Sequence, residues 1–184
     1  VERSRGLGDV YKRQGKDLLR TRLRSGNMAN IFGAAGAVGL FGQEYGVDTG
    51  NTVVIDRLFY SFPVGSEFTI VGGPVVRQDD MLPVWPSAYP SDMTMDFFTY
   101  AGAPGAYNLA LGGGAGVWWK PGDFSISTSY LSADAELSNP NEGGFMTDAA
   151  GASATTQIAY APENWGIAGA FTYASGFEGG GALY

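Results

Sequence analysis

Cysteine and histidine are both absent from the 184 residues. Without them there is no disulfide framework, no thiol nucleophile and no Cys/His zinc site, and neither Ser-His-Asp nor Cys-His catalysis can be assembled. Charge is scarce too: Asp, Glu, Lys and Arg make up 16% of the chain against a usual ~25%, which excludes disorder driven by charge. No apolar run approaches the ~20 residues of a membrane helix. That test is blind to a barrel, whose alternating strands leave mean hydropathy near neutral, and here it is −0.04.

What is abundant is glycine, at 29 residues, and aromatic side chains, at 14%. Together they point to a β protein with many turns. Alternating runs predict seven strands, at 17–25, 51–62, 67–77, 108–119, 124–133, 153–161 and 165–174. Tight connections fall at PVGSE (63–67), KPGD (120–123) and PEN (162–164), each pairing Pro with Gly or Asn as turns require. Wide ones fall at 26–50, 78–107 and 134–152. Short turns at one end and long loops at the other describe an up-and-down antiparallel sheet.

Within the strands one face is bulky and apolar, the other small or polar. Phe124, Ile126, Thr128 and Tyr130 alternate with Ser125, Ser127 and Ser129; Trp165, Ile167, Phe171 and Tyr173 alternate with glycine, alanine and threonine. A soluble sandwich alternates as well. The aromatics favour a membrane: Phe62 and Phe68, Trp119 and Phe124, and Tyr160 and Trp165 bracket the three tight turns, as a girdle at a membrane–water interface would.

In DLLRTRLRS, Arg20, Arg22 and Arg24 share one strand face. Arginine near the centre of a lipid-facing strand costs ~2–4 kcal/mol, so these side chains are expected to line a water-filled lumen, with Arg57 and Arg77 joining them. Asp56 breaks the alternation of its strand and leaves the facing of Arg57 open. The loop RQDDMLPVWPSAYPSDMTMDFFTYAGAPGAYN is too aromatic to be a solvated tail and is expected to fold into a barrel mouth or over its rim. Its Asp79, Asp80, Asp92 and Asp96 would form the constriction. As carboxylate pairs for acid–base or calcium chemistry they lack the spacing and read as solvated loop charge. GGGAGVWW (112–119) runs into a strand, not a helix, and is no phosphate loop. No catalytic, metal-binding or cofactor-binding residue is expected.

The segments GKDLLRTRLRSGN, DRLFYSFPVG, RQDDMLPVWPSAYPSD, DFFTYAGAPGAYNL, GAGVWWK and NWGIAGAFTYASG together resemble the cyanobacterial outer-membrane porins of the carbohydrate-selective, OprB-like family, whose members are also described as iron-uptake porins. The resemblance implies a transmembrane β-barrel of about sixteen strands in the cell outer membrane. It would pass ions and small hydrophilic solutes, carbohydrates among them, by passive diffusion. It also implies trimers, and tethering to the cell wall by a surface-layer-homology domain that these residues do not contain. Seven strands, an odd number, suggest that 15–184 is the N-terminal half of such a barrel. Two alternatives stay open: a soluble secreted β-sandwich that binds carbohydrate, and a plugged, structural outer-membrane barrel.

The first fourteen residues, VERSRGLGDVYKRQ, stand apart. They hold four of the eleven basic and two of the eighteen acidic residues, leaving seven basic against sixteen acidic side chains from Gly15 onward. So acidic a body makes nucleic acid an unsuitable partner. The opener lacks the apolar stretch of a secretory signal. It looks like translated sequencing-adaptor read-through, a non-native tail expected to be loose or briefly helical.

Overall fold

The computed structural model describes residues 10–13, 16–27, 49–85, 87, 106–107, 110–147 and 149–176. It holds eight strands: β1 (Val10–Arg13), β2 (Asp17–Arg24), β3 (Val54–Val64), β4 (Phe68–Arg77), β5 (Leu111–Trp119), β6 (Phe124–Ser132), β7 (Ala152–Tyr160) and β8 (Ile167–Ser175). Each pairs antiparallel with its neighbour in the chain, so one sheet runs in order from β1 to β8. The all-β, up-and-down expectation is met. The sheet is open, with no pairing of β8 to β1 among the described residues.

Two of the tight turns hold glycine at positive φ, Gly65 at 69° and Gly122 at 62°, a conformation that a Cβ disfavours. Strand ends fall within a few residues of those predicted. Trp165, expected to open the last strand, lies in the turn before β8.

All seven predicted strands are present, as β2 to β8, and β1 adds an eighth ahead of them. Val10–Arg13 is neither loose nor helical but pairs with β2, from Val10 opposite Arg20 to Arg13 opposite Asp17. VYKR opens on the strand formers Val10 and Tyr11, and an exposed edge takes such a segment through backbone bonds alone.

Three irregularities interrupt the register of the sheet. Between β2 and β3, Arg22 faces Arg57 and Leu23 faces Ile55, which leaves Asp56 as the extra residue of a bulge. Between β3 and β4 the register slips between Leu58 and Tyr60, and between β4 and β5 it slips from Gly73 to Val76. Pro74, which cannot donate to a ladder, sits inside that last slip.

The two faces differ in what covers them. Ile70, Val117, Ile126, Ile158, Phe171 and Tyr173 lie on one face and are each more than a third exposed. The opposite face is polar and buried: Ser125, Ser127 and Ser129 on β6, and Ser153, Thr155 and Gln157 on β7, are all 5% exposed or less. Its cover is the segment that leaves β4. A 3₁₀ turn, Gln78–Met81, puts Met81 into a core with Phe59, Val71, Val76, Ala110 and Leu131. Leu82, Trp85 and Ala106 then pack around Tyr107, beside Ala170 of β8. The only apolar cores among the described residues therefore lie between this strap and the sheet's polar face.

Candidate functional site

The covered face has a charged end on β2–β4 and a neutral end on β6–β8. At the charged end the five predicted pore-lining arginines meet three aspartates. Arg20 Nη1 donates to Asp80 Oδ1 at 2.9 Å and Arg57 Nε to Asp80 Oδ2 at 2.9 Å, while the Arg77 amide donates to the same Oδ2 at 3.2 Å. Asp56 is shared by Arg22, by Arg57 at 3.2 Å and by Arg24 at 3.6 Å. Arg77 grips Asp79 through two nitrogens. Arg20 also lies over the Phe59 ring, 5.9 Å from its centroid, a cation–π contact.

The bulge explains the gathering. An extra residue in a strand turns its side chain out of strict alternation, so Asp56 joins Arg57 on the arginine face. That is why Asp56 obscured the facing of Arg57 in the sequence. Arg57, with its side chain 3% exposed, is the most enclosed member. A buried charge needs partners, and Arg57 has two.

Asp79 and Asp80 are corrected. They are not solvated loop charge: both sit in the 3₁₀ turn against the arginines, with Asp80 nearly buried. Burial works against ionisation of both carboxyls. Asp79 still lies below the usual carboxylate range because the Arg77 guanidinium outweighs that cost. Asp80 lies above it, pushed up by burial and then by the charge of Asp79, against the pull of Arg57, Arg77 and Arg20. Asp92 and Asp96 lie outside the described residues.

The neutral end holds the strap by hydrogen bonds. Gln157 Nε2 donates to the Val84 carbonyl at 3.1 Å and to the Tyr107 hydroxyl at 2.9 Å. Thr172 donates to the Ala106 carbonyl at 2.6 Å, and the Thr155 and Thr172 hydroxyls are 2.8 Å apart. Trp85 meets Tyr107 edge-on at 5.4 Å. Both described ends of the long loop thus lie on the polar face.

Between the two ends the fit is incomplete. The hydroxyls of Ser125, Ser127 and Ser129 and both polar atoms of the Gln78 carboxamide are buried with no hydrogen-bond partner. Gly116 on β5 explains the closeness of the cover: a Cβ there would stand 3.0 Å from the Met81 Cβ and 3.1 Å from the Ser129 Cβ. The glycine-rich run rejected as a phosphate loop is a strand made thin enough to seat Met81. The sequence carried that signal, glycines alternating on one strand face, without saying what they would face.

On the open face the six predicted girdle residues gather at the tight-turn end. Phe68 and Trp119 rings are 6.3 Å apart, Trp119 and Phe124 6.1 Å, and Tyr160 and Trp165 5.5 Å; Phe62 stacks with Tyr60 at 5.6 Å. The Trp119 indole donates to Glu67 Oε2 at 2.8 Å, which gives the polar tip of the ring a partner at the turn. Among the described residues no group of His, Cys, Asp and Glu is placed to hold a metal ion, and no helix is long and apolar enough to cross a membrane.

No family model matches the chain, and no solved structure matches it. An uncharacterized protein of Nostoc sp. (strain PCC 7120), alr4550, is 30% identical to it over 200 aligned positions, which take in 92% of this chain and 32% of that protein. The chain spans about a third of the length of this relative, and what they share is a sequence likeness with no activity attached.

Proposed function

We propose that this chain forms part of an outer-membrane porin, a transmembrane β-barrel through which ions and small hydrophilic solutes diffuse without chemistry. One observation carries the reading: the apolar face of the sheet is the open one, and the polar face is the enclosed one. A water-soluble sheet buries its apolar face, because each Å² of apolar surface left in water forfeits ~25 cal/mol. Soluble monomers rarely expose more than a few hundred Å² of contiguous apolar surface. Lipid reverses that preference and makes the open face the stable one.

In this reading the arginine–aspartate network lines the lumen, and the strap narrows it. Five arginines against three aspartates leave the cluster positive, which favours anions at the narrowing. The rings at the tight turns sit at one membrane interface. Further strands, pairing with the free edge of β8, would close the wall, since an unpaired edge in lipid costs several kcal/mol per exposed backbone group. The resemblance to carbohydrate-selective porins supports the same class and would place the protein in the cell outer membrane, with trimer formation and a cell-wall tether as expectations for the full-length protein.

A second reading is favoured by the strap itself, which lies across the polar face: a plugged barrel that serves as a structural element. Planar-bilayer recordings of the full-length protein separate the two. Discrete conductance steps that favour anions support the porin. A tight membrane with the protein inserted and no conductance supports the plug. A protein that stays monodisperse without detergent contradicts both and restores the soluble sandwich.

A further inference from the structure

The strap is held unevenly. At its arginine end, Asp80 accepts three donors: Arg20, Arg57 and the Arg77 amide. Beside β6, Met81 sits over Gly116 next to Ser129, and the Val84 carbonyl meets Gln157, the residue opposite Ser127, while the hydroxyls of Ser125, Ser127 and Ser129 are buried and bonded to nothing. In a 3₁₀ turn residues three apart share a face, so Gln78 and Met81 share the buried side of the turn, and the Gln78 carboxamide is unpaired as well. Buried polar groups without partners disfavour the state that covers them, and water would satisfy all of these if the strap lifted.

The arginines also have more donors than the three carboxylates use. Arg24 is over a third exposed at its side chain and makes one long contact, 3.6 Å to an Asp56 that Arg22 and Arg57 already share. Arg20, equally accessible, donates through one nitrogen and leaves the rest of its fork open. Guanidinium forks of this kind match the paired oxygens of carboxylates and phosphates. Asp80 is a poor resident among them, because burial and the neighbouring Asp79 both oppose its charge.

We propose that Arg20, Arg22, Arg24 and Arg57 form a binding site for a small oxyanion of the phosphate class, in which the strap's Asp80 is a tethered stand-in, so that arrival of the anion displaces Asp80 and lifts the strap from β6. The narrowing is then a gate opened by the solute it admits. This rests on the polar face being a lumen that solutes can reach.

The test uses Ser127→Cys in an otherwise cysteine-free full-length protein in detergent. The substitution is nearly isosteric, removes no hydrogen bond, and places a thiol beneath the strap. Its reaction with a water-soluble maleimide is followed against inorganic phosphate, and against chloride at matched ionic strength. Phosphate raises the labelling rate saturably by about tenfold, the ratio that corresponds to ~1.4 kcal/mol, and chloride does not. Asp80→Asn in the same background labels fast without phosphate and gains little from it. Arg24→Gln raises the half-saturating phosphate concentration several-fold. Equal responses to phosphate and chloride would mean screening alone and overturn the proposal, as would no response to either. Should Asp80→Asn fail to fold, the phosphate titration decides by itself. Labelling needs no conductance, so a protein that answers phosphate yet never conducts counts against the porin and leaves the anion site and its displaceable strap standing.

Discussion

On β6, neighbouring residues meet opposite surroundings: Ile126 is 38% exposed, while Ser125 and Ser127 are 1% exposed. The same inversion continues across the sheet, with Ile158 open beside buried Gln157 on β7. Register makes this a property of the sheet and not of one strand, since Ile126 lies opposite Ile158 and Ser127 opposite Gln157. A fold that turns its isoleucines outward and its serines inward is the arrangement that the proposed membrane reading requires, with lipid on the isoleucine side. The two faces therefore respond in opposite ways to the same substitution, and that contrast can be broken or sharpened by experiment.

The largest effect belongs to the open face. Ile158→Arg puts a charge in the middle of the apolar band and is expected to cost ~2–4 kcal/mol in lipid-reconstituted unfolding. An ordinary solvent-exposed position would change by less than ~0.5 kcal/mol.

Next comes the covered face. Gln157→Leu removes the donor to the Val84 carbonyl and the Tyr107 hydroxyl and leaves both without it. The expected loss is ~1–3 kcal/mol, read as faster hydrogen exchange at Val84–Trp85 while β5–β6 stay protected. If exchange quickens across the whole sheet instead, Gln157 supports the wall and not the strap.

Smaller is Trp165→Ala at the tight-turn end. Its ring pairs with Tyr160 at 5.5 Å, and removing it is expected to cost ~0.5–1.5 kcal/mol in lipid. The same change is expected to be near neutral in a soluble fragment.

The smallest effect is electrical. Acid reaches Asp80 first, at a pH above the ordinary carboxylate value of ~3.9, while Asp79 stays charged below it. Losing the Asp80 charge makes the arginine cluster more positive, so in the proposed pore reversal potentials under a salt gradient are expected to shift toward anion preference as pH falls. Asp80→Asn fixes that preference at neutral pH and abolishes the shift.

Much of the inversion was legible in the sequence because a strand's period of two writes both faces into the text. Ser125, Ser127 and Ser129 between Phe124, Ile126 and Thr128 named the polar and apolar faces of β6 correctly, and Arg20, Arg22 and Arg24 fell on the polar one. What failed were features that break the period or depend on partners far along the chain. The extra residue at Asp56 turns a side chain without leaving a mark that a period-two reading can follow. Asp80 finds Arg20 across sixty positions, and Met81 finds Gly116 across thirty-five, contacts that no local pattern announces. β1 was missed because VYKR was judged by its surroundings in the sequence and not by the open edge that β2 offered it.

The most direct test of the inversion is spin-label accessibility at open-face positions of β6, β7 and β8 in the reconstituted full-length protein. Cysteine substitutions at Ile126, Thr128, Ile158 and Phe171 carry the label. If the open face meets lipid, oxygen dissolved in the bilayer relaxes these labels strongly and a water-soluble nickel complex barely reaches them, with a depth gradient from the tight turns inward. Equal access of the nickel complex to all four positions would place that face in water and contradict the membrane reading outright.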